Sequence, residues 1–466
     1  AWKVETTWGV PNFTLSGANT TLGATVNPGA TSITVASASG IAAGDILRVG
    51  DDDSVEFVKV DSSYTTGTTI PLASTTPLNF RHLSGEAVKE CTPAGMKKLG
   101  ALVSFSPGGG IGRFESGAIG SGRKGLTNIR SGNYEVSGSI DVESSIENIG
   151  FLLVHALGKD YTTAGTTVGG GANTTLAAGA SAGATSITVA SASGIAAGDY
   201  LQIGTGTTQE VVQVDSSYTT GTTIPLASTT PLRFSHASGE AVVEVTSPFT
   251  HTAKRGTLPA GLTLLLHYTD VSSLALYRGC KINTLTVEAD ARSLPRVRID
   301  FVGKAMQSLG ENLFGSAQDA SHTPYAPWEG VIEEGGNEIK TVESIRIGIE
   351  NNIRGDVFRI GSRFLASAQE GDGRASGSFT YHFFDASLVK KAMFESESSL
   401  RLKFIYAKDT NHELAFYIPR VIYTGNPHPG LPDKGPISDS KDFTALYSST
   451  DDTDMTVTYK TTEAVI

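Results

Sequence analysis

Apolar residues along this chain alternate with polar ones much more often than they recur at helical spacing, and that alternation marks half-buried strands. Val297, Ile299 and Phe301 alternate with Arg296, Arg298 and Asp300. Leu400, Leu402, Phe404 and Tyr406 alternate with Arg401 and Lys403; Ile345, Ile347 and Ile349 form another row, and Met455, Val457 and Tyr459 another. One apolar and one polar face per strand is the signature of antiparallel sheets with one wet side. Two segments depart from this period. The first predicts a helix from about Ser145 to Leu157, with Ile146, Ile149, Leu153 and Val154 on its apolar side. Ser144 or Ser145 would cap its start and a left-handed Gly158 its end. The second starts at an Asp385 cap and carries Leu388, Ala392 and Met393.

A long internal repeat organises the chain. Residues 29–45 recur unchanged at 183–199, and 60–78 recur at 214–232 without a slip in register. The spacing is far above solenoid periods, so these are two copies of one module. In the first copy, strands are predicted at Ser32–Ala36, Ile46–Val49, Val55–Val60, Thr69–Leu72 and Ala87–Lys89, broken by Gly/Ser/Thr turns. Each copy reads as a small all-β barrel or sandwich, at 17–92 and 172–246.

The remainder repeats more faintly. Ser137-Gly138-Ser139 followed by Ile140 and Val142 aligns with Ser376-Gly377-Ser378 followed by Phe379, Tyr381 and Phe383, and a predicted helix follows each. The expected architecture is mainly β: two fused barrel or sandwich domains with one short helix each, plus the two inserts. The first fused domain is discontinuous (1–16, 93–171 and 247–320) and the second spans 321–466.

Composition narrows the function. A formal charge of −11 speaks against a protein that grips phosphates through Lys/Arg clusters. It fits either plain solubility or a surface past which DNA slides without sticking. Cys91 and Cys280 are far apart and in no metal-like spacing, which suits two inert thiols and a reducing compartment. No stretch approaches the roughly eighteen apolar residues of a membrane helix, and the opening Ala1-Trp2-Lys3-Val4 is unlike a secretion signal, so synthesis in the cytoplasm is expected.

Motifs that suggest chemistry weaken on inspection. Gly120-Ser-Gly122-Arg-Lys-Gly125 has dinucleotide-fingerprint spacing, but a strand pattern follows it where that motif needs a helix. Asp51-Asp52-Asp53 offers hard oxygen ligands, yet the second copy has Gly204, Thr205 and Gly206 around the same place, which favours a solvated turn. Asp451, Asp452 and Asp454 read likewise. His82 and His236 occupy equivalent places with no companion ligands and read as structural. No catalytic residue, cofactor site or metal site is assigned, and an enzyme is not expected.

With the inserts set aside, the order of motifs resembles the siphophage major tail tube family in its two-domain form. The resemblance lies in Val4-Glu-Thr-Thr-Trp8-Gly9-Val-Pro11, in Ser137-Gly138-Ser139 through Leu157-Gly158, and in Thr257-Leu258-Pro259. It continues in Gly279-Cys-Lys281-Ile282-Asn283-Thr284-Leu285-Thr286 and Ile299-Asp300-Phe301-Val302-Gly303-Lys304. It implies a structural virion protein whose sheet edges pair between subunits into rings that stack as a conduit for phage DNA. Single-domain members form six-subunit rings, so a duplicated chain would close a trimeric, pseudo-sixfold ring. The implied partners are the chain itself, tape measure, tail terminator and distal tail proteins, with DNA passing unbound.

Two long loops are candidates for ring-to-ring contact: Pro107–Arg130, carrying Arg113, Phe114, Arg123, Lys124 and Arg130, and Asp356–Gly373, carrying Phe358, Arg359, Arg363 and Phe364. Long loops rich in Arg and Phe favour a partner surface. The rival reading is a surface adhesin whose modules bind host glycans, which would need exposed aromatic platforms around Tyr64/Tyr218 and Phe80/Phe234.

Overall fold

A computed structural model describes the chain except residues 1, 9, 12, 52, 93–95, 100, 116–128, 148, 159–160, 316–322, 385, 425–436 and 465–466. The fold is mainly β. The main strands of the body are β1 (Trp2–Thr7), β2 (Leu102–Glu115), β3 (Ile129–Glu143), β4 (Ala241–Lys254, which starts in the second copy), β5 (Gly261–Tyr268), β6 (Ser273–Asp290), β7 (Ser293–Gly303) and β8 (Ala305–Leu309). They continue with β9 (Gly330–Glu334), β10 (Val342–Glu350), β11 (Arg374–His382), β12 (Ser398–Ile405), β13 (Glu413–Thr424), β14 (Ser438–Ala445) and β15 (Thr456–Thr461). The helices are α1 (Gly150–Leu157) and α2 (Ser387–Met393).

Antiparallel pairing links these strands in two series. In the first, β2 pairs with β3, β3 with β7, β7 with β6, and β6 with both β5 and β8, while β1 lies outside β5. In the second, β10 pairs with β11, β11 with β14, β14 with β13, and β13 with both β12 and β15, while β9 lies outside β12. Chain order matches too, with α1 following β3 and α2 following β11. The series join where β6 Thr284–Asp290 pairs with β10 Glu350–Ser344. One wet-faced sheet therefore runs β2-β3-β7-β6-β10-β11-β14-β13.

The two Ser-Gly-Ser motifs occupy the same place in each series. Gly138 lies between Pro107 and Phe301, and Gly377 between Ile347 and Phe443. A Cβ on Gly138 would come within 2.7 Å of the Phe301 ring, and one on Gly377 within 2.6 Å of the Phe443 ring. Glycine is needed there because an aromatic ring lies across the strand and, at Gly377, because a Cβ would also come within 2.1 Å of Arg346 O.

The dry face is a single core shared by both series. It runs from Ile140, Val142 and Leu285 through Ile345 and Ile347 to Phe379, Phe416 and Tyr459, and α1 is buried in it along its whole length. Expected strand rows sit where the alternation placed them, but no closed barrel forms: among the described residues, no path of strand pairings returns to its start. The sheet stays open because β2 has a partner only on the β3 side.

The first helix is shorter than expected. Residues 144–146 bond instead to distant chain, with Ser144 N donating to Pro295 O and Ile146 N to Thr323 O, so tertiary pairing overrides the helical pattern. No side chain caps the helix, and Gly158 is extended rather than left-handed. The expected Asp385 cap lies outside the described residues.

Each repeat copy has its own small core, centred on Leu47, Val58, Ile70 and Val88 in the first and Leu201, Val212, Ile224 and Val242 in the second. In the first copy the strands lie within three residues of those expected, with an unexpected strand at Thr14–Thr21, as a two-stranded ladder (Ser32–Thr34 with Thr69–Pro71) and a larger sheet.

Candidate assembly surface

On the body, β2 is exposed along almost its whole length. It is fourteen residues long, exposed except for half-buried Phe105, and no described residue pairs with its outer edge. A long unpaired edge is a template for adding a strand from another chain. The equivalent edge in the second series, on β10, is occupied by β6 of the same chain.

The Pro107–Arg130 segment is a two-stranded ribbon rather than a loop where it is described, because β2 continues to Glu115 and β3 starts at Ile129. Its glycines hide it from a propensity reading. They are required by geometry: Gly109 has φ +82°, and a Cβ there would lie 2.3 Å from Glu135 O. Arg113 and Phe114 sit on β2, both exposed, and Arg130 pairs across from Phe114 on β3. Arg123 and Lys124, with the glycine fingerprint, lie outside the described residues.

The Asp356–Gly373 segment is irregular, pinned by bridges between Phe358 and Leu365 and between Arg354 and Gln369. Phe358 packs beside a small core of Leu258, Ile353, Leu365 and Ala368. Arg363 donates from Nε to Gly132 O at 3.1 Å and accepts at its carbonyl from Tyr134 N at 2.7 Å. Phe364 meets the Phe80 ring edge-on at 4.9 Å and lies 5.8 Å from Tyr134. The Asp356–Gly373 segment therefore packs against β3 at Gly132 and Tyr134, just past the Pro107–Arg130 segment, and leaves Arg113, Phe114 and Arg130 exposed.

Asp53 corrects the solvated-turn reading. Its carboxylate accepts from Arg359 at 2.6 Å and Ser362 at 2.8 Å and pairs with Lys304 at 3.1 Å. Burial alone would raise its pKa, but the hydrogen bonds from Ser362, Lys304 and Arg359, with the Lys304 charge, hold it below the usual carboxylate range. Asp454 departs likewise: it pairs with Arg255 at 3.1 Å, and burial raises its carboxyl.

His82 and His236 are buried hubs. His82 sits between Glu56 (2.7 Å) and Glu86 (2.8 Å), and His236 between Glu210 (2.9 Å) and Glu240 (2.8 Å). Glu56 also accepts from the backbone N–H groups of Asn79 and Phe80, and Glu210 from those of Arg233 and Phe234, so each hub fastens a loop to a strand. The aromatic residues proposed as sugar platforms do not form them: Tyr64 and Tyr218 are buried, with their hydroxyls bonded to Gly67 O and Gly221 O, and Phe80 is buried against Tyr134 and Phe364.

Burial raises the Cys91 thiol to about 12 and the Cys280 thiol well above its ordinary value. Among the described residues, no group of three or more His, Cys, Asp or Glu could hold a metal ion, and no helix is long and apolar enough to cross a membrane.

An open, exposed strand edge on a one-sided sheet is a surface built for self-association. The family model described as phage tail tube protein matches residues 1–445. The chain belongs to the phage tail tube protein family. No curated protein matches it. As a tail tube protein it is a structural component of the virion tail, and self-assembly alongside other tail proteins follows from that membership. Two features of this tube chain escaped the sequence reading: the free β2 edge, masked by glycines, and the β6–β10 junction, to which the Leu285/Val287 and Ile345/Ile347 rows were the available clue.

Proposed function

We propose that this chain is a duplicated tube subunit that closes rings by pairing the end of its second series with β2 of the next copy. The observation that supports this reading is the β6–β10 junction: one chain already contains the lateral seam that two chains would make. Its equivalent on one side is the unpaired edge of β2. Three chains would close a pseudo-sixfold ring. Its wet sheet face would line a bore for DNA, with the dry face turned outward into the core. That wet face carries both signs of charge, in pairs such as Arg296–Asp141 and Arg346–Glu288, and offers no basic run to hold a phosphate backbone.

The exposed end of the β2–β3 ribbon, with Arg113, Phe114 and Arg130, is the proposed ring-to-ring contact, and Arg123 and Lys124 belong to the same segment. The modules at 17–92 and 172–246 would sit outside the bore, because the first docks on β8 and the second runs into β4 and packs on its Phe249, and neither strand is among the eight of the wet-faced sheet. Tape measure, terminator and distal tail proteins would bound the tube at its interior and ends.

Mass photometry and negative-stain electron microscopy across a concentration series test this reading. The expected result is a species of three 48.6 kDa chains that stacks into hollow, striated tubes. Single chains at every concentration would refute it.

A further inference from the structure

The two series correspond place by place. Gly110 lies opposite Glu135 as Glu350 lies opposite Arg374, and Val302 lies opposite Ser137 as Thr444 lies opposite Ser376. Beyond Glu350, the second series crosses the first. A Cβ on Gly355 would come within 3.2 Å of the Val302 side chain, the Tyr134 N–H donates to Arg363 O, and Phe364 packs on the Tyr134 ring. The equivalent place on the second series is an open pocket of about 460 Å³, walled by Gly373, Arg374, Thr444, Ala445, Tyr447 and Arg255. Arg374 is exposed. Arg255 Nε lies 3.1 Å from Asp454, yet none of its three guanidinium nitrogens has a hydrogen-bond partner among the described residues. Two guanidinium groups beside an open pocket favour an occupant that brings a carboxylate.

We infer that this pocket receives Ile111 and Glu115 of β2 from the next copy in the ring. The chain beyond Gly110 would cross Thr444 of its neighbour as the chain beyond Glu350 crosses Val302 within one molecule. Glu115 stands as far beyond Gly110 as Gly355 stands beyond Glu350, which brings its carboxylate to the guanidinium side of the pocket. Ile111 is 52% exposed in the single chain, and covering it supplies a drive for docking that backbone pairing alone lacks. Phe114 and its cross-strand neighbour Arg130 lie on the opposite side of the ribbon and are left for the neighbouring ring. The inference rests on the ring-closing reading proposed above and deepens it by naming the side chains and the pocket that meet.

The test pairs Ile111→Cys with Tyr447→Cys in the full chain and applies a short bismaleimide at a concentration where mass photometry shows single rings, before they stack. The native thiols of Cys91 and Cys280 are buried and do not compete. Crosslinked dimers and trimers that carry most of the chains, absent when either substitution is made alone, are the expected result. Rings that form normally without chain-to-chain crosslinks would overturn the pocket assignment and leave ring closure standing. A chain that stays single at every concentration, with no crosslink, would overturn both. As a second readout, Glu115→Arg raises the concentration needed for ring formation at least tenfold, and adding Arg374→Glu brings it back towards that of the unaltered chain. Ring formation by Glu115→Arg at the unaltered concentration would also refute the pocket assignment.

Discussion

The two repeat copies share residues 29–45 and 60–78 with 183–199 and 214–232, yet they are fastened to the body at different places by different side chains. In the first copy, the Gln307 amide bonds to the backbone of Phe57 in both directions, at 3.0 and 2.7 Å, and Glu311 accepts from Lys59 and Thr75. In the second, Arg233 stacks 3.8 Å over the Tyr161 ring and donates to Tyr161 O, while Val211 packs with Val245 and Phe249. Phe57 and Val211 are equivalent positions, as are Asn79 and Arg233, and the first copy also uses Asp53 where the second has Thr207. Sequence differences thus include the residues that dock, while the His–Glu hub and most of the small core stay the same, Val26/Ala180 and Val49/Ile203 being exceptions. One module is held to two supports by changing the residues that dock.

The largest effect should strike both copies alike. His82→Ala and His236→Ala each strand one buried carboxylate, Glu56 or Glu210, which costs about 3 kcal/mol or more. Hydrogen exchange is expected to show faster opening across 17–92 or 172–246 respectively; an effect confined to one copy would mean that the hubs are not equivalent. A smaller effect should separate the copies. Gln307→Ala orphans a buried N–H and C=O of Phe57 and should loosen only the first module, by about 2 kcal/mol. Arg233→Ala removes a partly exposed stacking contact and should loosen only the second, by about 1 kcal/mol. Limited proteolysis at the module boundaries would reveal any crossover between them.

The smallest effect is a pH dependence of the first copy. Burial alone would lower the His82 pKa, but the hydrogen bonds and charges of Glu56 and Glu86 raise it above the ordinary histidine value. A histidine raised in the folded state contributes stability that is complete below its unfolded pKa and is lost as pH rises through the folded one. Amides of 17–92 should therefore be better protected at pH 6 than at pH 9 after correction for intrinsic exchange, and this difference should vanish in His82→Ala.

Much of this was legible in the sequence, for identifiable reasons. Rows such as Val297/Ile299/Phe301 reveal strands because one buried face imposes a period of two, and the repeated module declares itself by identity. The Ser-Gly-Ser motifs could be aligned, but the aromatic rings that make their glycines necessary come from strands far along the chain. The start of α1 was misjudged because residues 144–146 answer to Pro295 and Thr323, which no local pattern reports. β2 read as a loop because glycine lowers strand propensity even where close strand approach demands it. Asp53 looked like a turn acid because its partners, Lys304, Ser362 and Arg359, are remote in sequence.

The β6–β10 seam also bears on how fast a ring could form. A contact built into one chain arises at a rate independent of protein concentration, whereas each seam between chains depends on encounter. In a ring of such subunits every second seam is therefore complete before any two molecules meet, which lowers the kinetic order of closure relative to a ring of undivided single units. Dilution can dissolve only the remaining seams, so disassembly should release whole two-series chains and never half of one.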